Sequence, residues 1–166
     1  MNAHTPTSSP AAYALRPAQG RAEWYMGNLF EWKVESDALS VAEATAQPGS
    51  EPPLHVHERE DEVYLVLNGQ ATFQVGDEYV EAGPGTFVYL PRGVPHGFAV
   101  RSEVARFLLV VTPGGLEGHF HRFGTEAAER TLPPLPEAPP LDAIGADLAA
   151  RGVQIVGPPL AVLLAA

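Results

Sequence analysis

Two histidines stand one residue apart in Leu54-His55-Val56-His57, a carboxylate follows at Glu62, and a third histidine, His96, closes Pro91-Arg92-Gly93-Val94-Pro95-His96. Side chains alternate along an extended strand, so His55 and His57 point to the same side. Glu62 joins them if the chain bends back between Glu58 and Asp61, and His96 can meet them from a separate segment. Three neutral imidazoles and one carboxylate suit one divalent transition metal (Fe, Mn, Ni, Cu or Zn), and these donors do not choose among the five. Four protein donors leave room on the ion for water, O2 or a substrate oxygen. The chain has no cysteine, which excludes disulfides, thiolate–metal sites and thiol nucleophiles and leaves nitrogen and oxygen as the only donors.

The elements that must bring these side chains together are short strands. Trp32 and Val34 alternate with Glu31, Lys33 and Glu35, a half-buried strand, and Ala38 to Gln47 reads as a second one. Glu62 to Leu67 is a strand ended by Asn68-Gly69, the strongest short hairpin signal, with Gln70 to Val75 expected to return from it. Gly76-Asp77 turns into Glu78 to Glu81. Thr86 to Leu90 is an apolar strand stopped by Pro91, and Phe98 to Val100 with Val104 to Val111 read as a further pair. Strands and turns at this density predict an all-β fold, an antiparallel sandwich or barrel.

After Thr112-Pro113-Gly114-Gly115 the character changes. Leu116 to Phe123 and Thr125 to Arg130 look helical, with Thr125 as an N-cap. Thr131 to Pro140 holds five prolines and predicts an extended connector. Leu141, Ile144 and Leu148 recur at helical spacing over Leu141 to Ala150, and Gly152 can end that helix. The expected organisation is a loose N-terminal arm over 1–20, in which His4 has no role, a β-barrel over 21–115, and a short α-helical C-terminal extension over 116–166.

A chain of 166 residues can bury a full core as one domain, and its net charge of −10 disfavours nucleic acid and anionic membrane surfaces as partners. The first twenty residues lack a charged start followed by an apolar run, and the apolar tail Leu160 to Ala166 is too short to span a bilayer. A cytoplasmic protein is expected, with that tail packed on its own barrel or on a second subunit.

Around the histidines the first stretch reads G-x5-H-x-H-x4-E-x6-G, filled by Gly49, His55, His57, Glu62 and Gly69. The second reads G-x5-P-x-G-x2-H, filled by Gly85, Pro91, Gly93 and His96, fifteen residues downstream. These nine spaced positions resemble the two motifs of the cupin superfamily. An asparagine often follows the second motif's histidine by four residues, and this chain has Val100 there. The resemblance covers Gly49 to Val100 and implies an antiparallel β-barrel or jelly roll of six to eight strands, holding one metal through His55, His57, Glu62 and His96. The stretch after the barrel (Thr-Pro-Gly-Gly-Leu, Phe120, Phe123-Gly124) is similar to single-domain cupins related to quercetin dioxygenases. What this implies is a small-molecule substrate and an oxidoreductase of dioxygenase type, with Glu62 as ligand or as general base. The alternatives are an isomerase, decarboxylase or lyase using the ion as a Lewis acid, or a non-catalytic binding barrel, and one barrel hosts many chemistries. Barrels of this kind usually pair, so a homodimer is expected.

Other residues are assigned plainer roles. Glu58, Glu60 and Asp61 read as a solvated loop. His119 and His121 echo the His-x-His pattern but diverge on a helix, so they are expected at the surface or an interface. Tyr64 shares Glu62's face by period two, and Phe87 and Tyr89 are further candidates to line the cavity, with barrel core as the simpler role for all three.

Overall fold

The computed structural model of the protein describes residues 12–165. His4 and the first half of the expected arm lie outside the described residues. The strands in chain order are β1 (Ala22–Tyr25), β2 (Asn28–Glu35), β3 (Ser40–Ala46), β4 (Pro53–His57), β5 (Asp61–Asn68) and β6 (Ala71–Val75), then β7 (Glu78–Ala82), β8 (Phe87–Leu90), β9 (His96–Val100), β10 (Ala105–Thr112), β11 (Thr125–Glu126) and β12 (Val153–Pro159). The helices are α1 (Glu117–Phe123), α2 (Leu141–Ala150) and α3 (Leu160–Leu163).

The strands form two antiparallel sheets, a seven-stranded one in the order β11-β1-β2-β3-β10-β5-β8 and a five-stranded one in the order β12-β4-β9-β6-β7. This is the jelly-roll architecture expected from the sequence, and its strand count exceeds six to eight because short edge strands extend both sheets. The sheets face each other over one core. Alternation along β5 buries Glu62, Tyr64 and Val66 and turns Val63 and Leu65 outward, and β10 buries Phe107, Leu109 and Val111 in the same way. Tyr64, Phe73, Phe98 and Phe107 form a four-ring cluster with pairwise centroid separations of 5.3 to 5.9 Å. Its rings come from both sheets, so it fastens one to the other; truncating Phe73 or Phe107 to Ala costs about 3–5 kcal/mol.

Several local expectations give way to tertiary pairing. Asn68-Gly69 does not close a hairpin: β5 pairs with β10 and β8, while β6 pairs with β7 and β9, so the chain crosses from one sheet to the other there. Gly69 is needed at that corner, since its φ is +80° and a Cβ would meet the Val104 carbonyl oxygen at 2.3 Å. Strands β9 and β10 likewise lie in different sheets and do not pair with each other. Gly76-Asp77 does close the β6–β7 hairpin, with Val75 opposite Glu78.

The segment expected to be helical after Thr125 is instead the short β11, whose Thr125 and Glu126 pair with Trp24 and Glu23 at the edge of β1. Helices α1 and α2 fall where the sequence predicts. Strand β12 departs from the helical extension expected over 116–166; its prolines are tolerated because it is an edge strand, where missing donors cost little. It pairs Val153 with His57 and Ile155 with His55, flanking the strand that carries two of the histidines. The tail packs on its own barrel through the fully buried Leu160, while Val162, Leu163 and Leu164 are exposed. The described part of the arm is tied down: the Tyr13 hydroxyl donates to the Lys33 carbonyl, 2.5 Å, and Lys33 Nζ donates to the Gln19 carbonyl. No helix among the described residues is long and apolar enough to cross a membrane.

Candidate metal centre

His55 and His57 project to one side of β4, and His96 is the first residue of β9, directly opposite His55 in the antiparallel register. Glu62 arrives from the other sheet, on β5, between Val111 on β10 and Leu90 on β8. The site is therefore built across the gap between the sheets, three imidazoles from one and a carboxylate from the other. One donor atom from each of His55, His57, Glu62 and His96 lies within 4.8 Å of all the others. Glu62 Oε1 is 3.5 Å from His57 Nε2, and its Oε2 is 3.5 Å from His96 Nε2.

The loop that delivers His96 is fastened to the first motif. Gly93, at φ +76°, turns the chain so that its N–H donates to the His57 carbonyl, 2.7 Å. One residue earlier, Arg92 donates to Asp61 from its backbone nitrogen, Nε and a terminal nitrogen, at 2.9, 3.0 and 2.9 Å. Asp61 is thus not a loose charge on a solvated loop. The hydrogen bonds from Arg92 hold its carboxyl down at about 2. At the far end of β9 the Val100 N–H donates to the buried Glu51 carboxylate, 3.0 Å.

The nitrogen atoms of each ring have separate partners. His55 Nδ1 donates to the Pro53 carbonyl (2.7 Å), His96 Nδ1 to the Val94 carbonyl (2.9 Å), and His57 Nδ1 to the Glu60 carboxylate (3.2 Å). With Nδ1 carrying the proton, the Nε2 lone pairs face the common centre. Nε2 of His57 and of His96 are buried and lack any hydrogen-bond partner. Buried polar atoms without partners are rare, and two of them aimed past a carboxylate are what a cation would satisfy. The donor set fits a divalent ion.

Charge is concentrated here. Burial alone would raise Glu62, but the surrounding His57, His96 and His55 bring its pKa down to about 2. Burial, then the neighbouring His96, depresses His55 to about 4. At His57 burial works in the same sense, yet Glu62 together with the Glu60 hydrogen bond and charge lifts the pKa above its ordinary value. Beside them the Tyr64 phenol is pushed well above 10 by burial and by the Glu62 charge, so it keeps its proton.

Further sequence expectations are corrected. Phe87 and Tyr89 do not line the cavity: they are 65% and 52% exposed on the outer face of β8, and Val88 and Leu90 point inward. The strand is apolar on both faces, so its alternation carried no signal of which set is buried. His119 is not at the surface. It is 1% exposed, accepts from the Tyr25 hydroxyl at Nε2 (2.9 Å) and donates from Nδ1 to Asp147 (2.8 Å), an anchor between β1, α1 and α2. His121 is partly exposed and bridges Glu23 and Glu35 at 2.7 and 2.5 Å. Neither reaches the metal-type cluster. Glu60, expected in a solvated loop, is instead 6% exposed, and its carboxylate accepts from His57 Nδ1. Its only signal was its place between two ligand candidates.

Comparison with known proteins agrees with this geometry. The Cupin domain family model matches residues 42–112. A quercetin 2,3-dioxygenase of Bacillus subtilis is 26% identical over 104 residues, 63% of this chain and 31% of that protein. A quercetin 2,3-dioxygenase of Aspergillus japonicus is 28% identical over 127 residues, 74% of this chain and 32% of that protein. The matched stretches span between 31% and 51% of the length of the curated relatives. Among solved structures, an RmlC-like cupin from Shewanella frigidimarina superposes with a TM-score of 0.58 at 17% identity, covering 65% of this chain and 96% of that one. Both motifs lie in the interior between the sheets, and residues 42–112, which contain them, match the Cupin domain family, in support of a cupin superfamily protein.

Proposed function

We propose that the protein is a metal-dependent cupin oxidoreductase of dioxygenase type, acting on a small enolisable or phenolic substrate. The observation that carries the reading is the convergence of three Nε2 atoms, each with its Nδ1 already committed, on a carboxylate that stays ionised. Similarity to two quercetin 2,3-dioxygenases supports the choice of reaction class. In this reading His55, His57, His96 and Glu62 hold one divalent transition metal. Such an ion, when bound, supplies Lewis acidity at the substrate oxygen and an electron route between substrate and O2.

The chain's own residues account for the rest. Glu62 reaches two neighbouring Nε2 atoms through its two oxygens, so either oxygen can stay on the ligand side while the other takes the enol or phenol proton. Tyr64, protonated throughout, closes the inner wall with Phe73, Phe98 and Phe107 and keeps water out of that side. Both atoms of O2 enter the product, so the reaction requires no separate reductant.

The test is O2 uptake by metal-replete protein against flavonols, β-diketones and catechols. Oxygen consumption stoichiometric with substrate loss supports the proposal. Turnover that continues under strict anaerobiosis would assign the site to Lewis-acid isomerase, decarboxylase or lyase chemistry instead.

The same proposal includes a homodimer. On the outer face of the seven-stranded sheet, register aligns Tyr89, Val63, Val110, Val41 and Val34 in one row and Phe87, Leu65 and Leu108 in the next. The second row runs on into Glu43 and Glu31, so the apolar part of the face is a patch over β8, β5 and β10 that extends along the first row, and a patch of this kind suits a second copy of the chain.

A further inference from the structure

His57 and His96 present nearly parallel rings, 5.3 Å between centroids and 5° between planes, and both leave Nε2 unpartnered toward Glu62. They form an internal comparison: similar orientation, equal burial, the same common centre. Their Nδ1 partners differ. His96 donates to the backbone carbonyl of Val94, as His55 does to that of Pro53, each acceptor two residues upstream in the histidine's own strand or turn. His57 alone donates to a side chain, the carboxylate of Glu60. Glu60 is itself buried, with its side chain 8% exposed, and it borders a cavity of about 190 Å³ shared with Arg59, Leu116, Arg151 and Pro113 to Gly115.

We infer that Glu60 is a positioning residue that makes His57 the most electron-rich of the three imidazoles. This rests on the metal reading above. A carboxylate acceptor pulls the Nδ1 proton harder than a carbonyl does, which raises the donor strength of Nε2 on the same ring and fixes its orientation. Nothing comparable can be tuned by a side chain at His55 or His96, because their acceptors are main-chain atoms. The three nitrogen donors are therefore unequal by construction, and the inequality is set by one residue that touches neither metal nor substrate. The cavity behind Glu60 gives a substituted side chain room to relax, so the effect can be separated from collapse of the fold.

The experiment compares full-length wild type, Glu60→Gln and Glu60→Leu, each stripped of metal and titrated with Zn²⁺ and Co²⁺ against a chromophoric chelator, with the visible absorption of the Co²⁺ complex recorded. Glu60→Gln keeps a neutral acceptor of the same shape and is expected to lose about 3- to 10-fold in affinity, and Glu60→Leu about 10- to 100-fold, the range seen when outer-shell partners are removed. Both are expected to shift the Co²⁺ bands, which a purely structural role would leave in place. The metal-free variants are compared by circular dichroism; if Glu60→Leu does not fold, the isosteric Glu60→Gln carries the test. Affinity within threefold of wild type and unchanged Co²⁺ bands in the folded variants would overturn the inference while leaving the metal reading intact. Wild type that binds neither ion would overturn both.

Discussion

His55 and His96 face each other as the one registered pair between β4 and β9, their ring centroids 4.6 Å apart. Forty residues of chain separate them, and the backbone register of two strands is what sets their spacing. Because that pairing is a single rung, the β4–β9 seam depends on its neighbours: β12 along β4, β6 along β9, and the Gly93 to His57 hydrogen bond.

The first prediction concerns metal content. Protein as purified is expected to carry about one equivalent of a divalent transition ion, measured by elemental analysis, and the His55→Ala, His57→Ala double variant to carry almost none. Removal with a chelator should lower the Tm of wild type and leave that of the double variant unmoved, because binding to the folded state alone stabilises it. Equal metal in the two proteins would sink the assigned site.

Arg92 and Asp61 give a second prediction. Arg92→Ala removes the fork that holds the second-motif loop to β5 and should weaken metal affinity several-fold without unfolding the barrel, since both side chains are surface-accessible. Activity and metal affinity falling together, with Tm nearly unchanged, is the expected pattern; a large loss of Tm with full affinity is the contrary one.

Acid stability follows from Asp147. Its carboxylate takes Arg122 at 2.6 Å, Arg151 at 2.8 Å and His119 at 2.8 Å. Burial pushes its pKa up, but Arg151, His119 and Arg122 outweigh this and set it at about 2, below the unfolded value of 3.8. A folded pKa below the unfolded one means stabilisation that is fully present above about pH 4 and lost as pH falls toward 2. Asp147→Asn is expected to cost about 1–3 kcal/mol at neutral pH and to flatten the stability profile between pH 4 and 2. Chemical denaturation as a function of pH reads both, and parallel profiles for variant and wild type would contradict it.

At the sheet-crossing corner, Gly69→Ala places a Cβ against Val104 and Ser102 at a positive φ. The expected cost is roughly 1–3 kcal/mol, read as a Tm lower by several degrees. A variant as stable as wild type would mean that the corner moves freely.

The apolar outer face can be tested by charge. Leu65→Arg is expected to turn a sedimenting dimer into monomer while the circular dichroism spectrum stays the same, because Leu65 points away from the core. Wild type that sediments only as monomer at micromolar concentration would overturn the dimer.

What could be read from sequence was whatever depends on nearby residues. The two-residue period places His55 beside His57 and Tyr64 on the face of Glu62, helix periodicity places α2, and Gly76-Asp77 places a hairpin, because each is a local matter of backbone geometry and turn chemistry. The nine spaced positions also announced the family and, through it, the jelly roll. Local signals failed where two options had similar local energy. Asn68-Gly69 suits a hairpin and a crossing corner equally, Thr125 can cap a helix or pair at a sheet edge, and Phe87 to Leu90 is apolar on both faces. Which of these the chain adopts is decided by long-range pairing: β6 finds β9, β11 finds β1, and Val88 and Leu90 find the core.

The same division runs through the site. The sequence by itself determined the donor types, the same-side pairing of His55 and His57, and the absence of any thiol. Only the tertiary structure decided that Glu62 would come from the opposite sheet, that β12 would flank the histidine strand, and that Glu60 would be buried against His57 while Glu58 and Arg59 stay in solvent. A hydrogen bond to a ring nitrogen and the burial of a carboxylate depend on what folds over them, and the residues that cover Glu60 lie around Gly114 and Arg151, some fifty to ninety positions away.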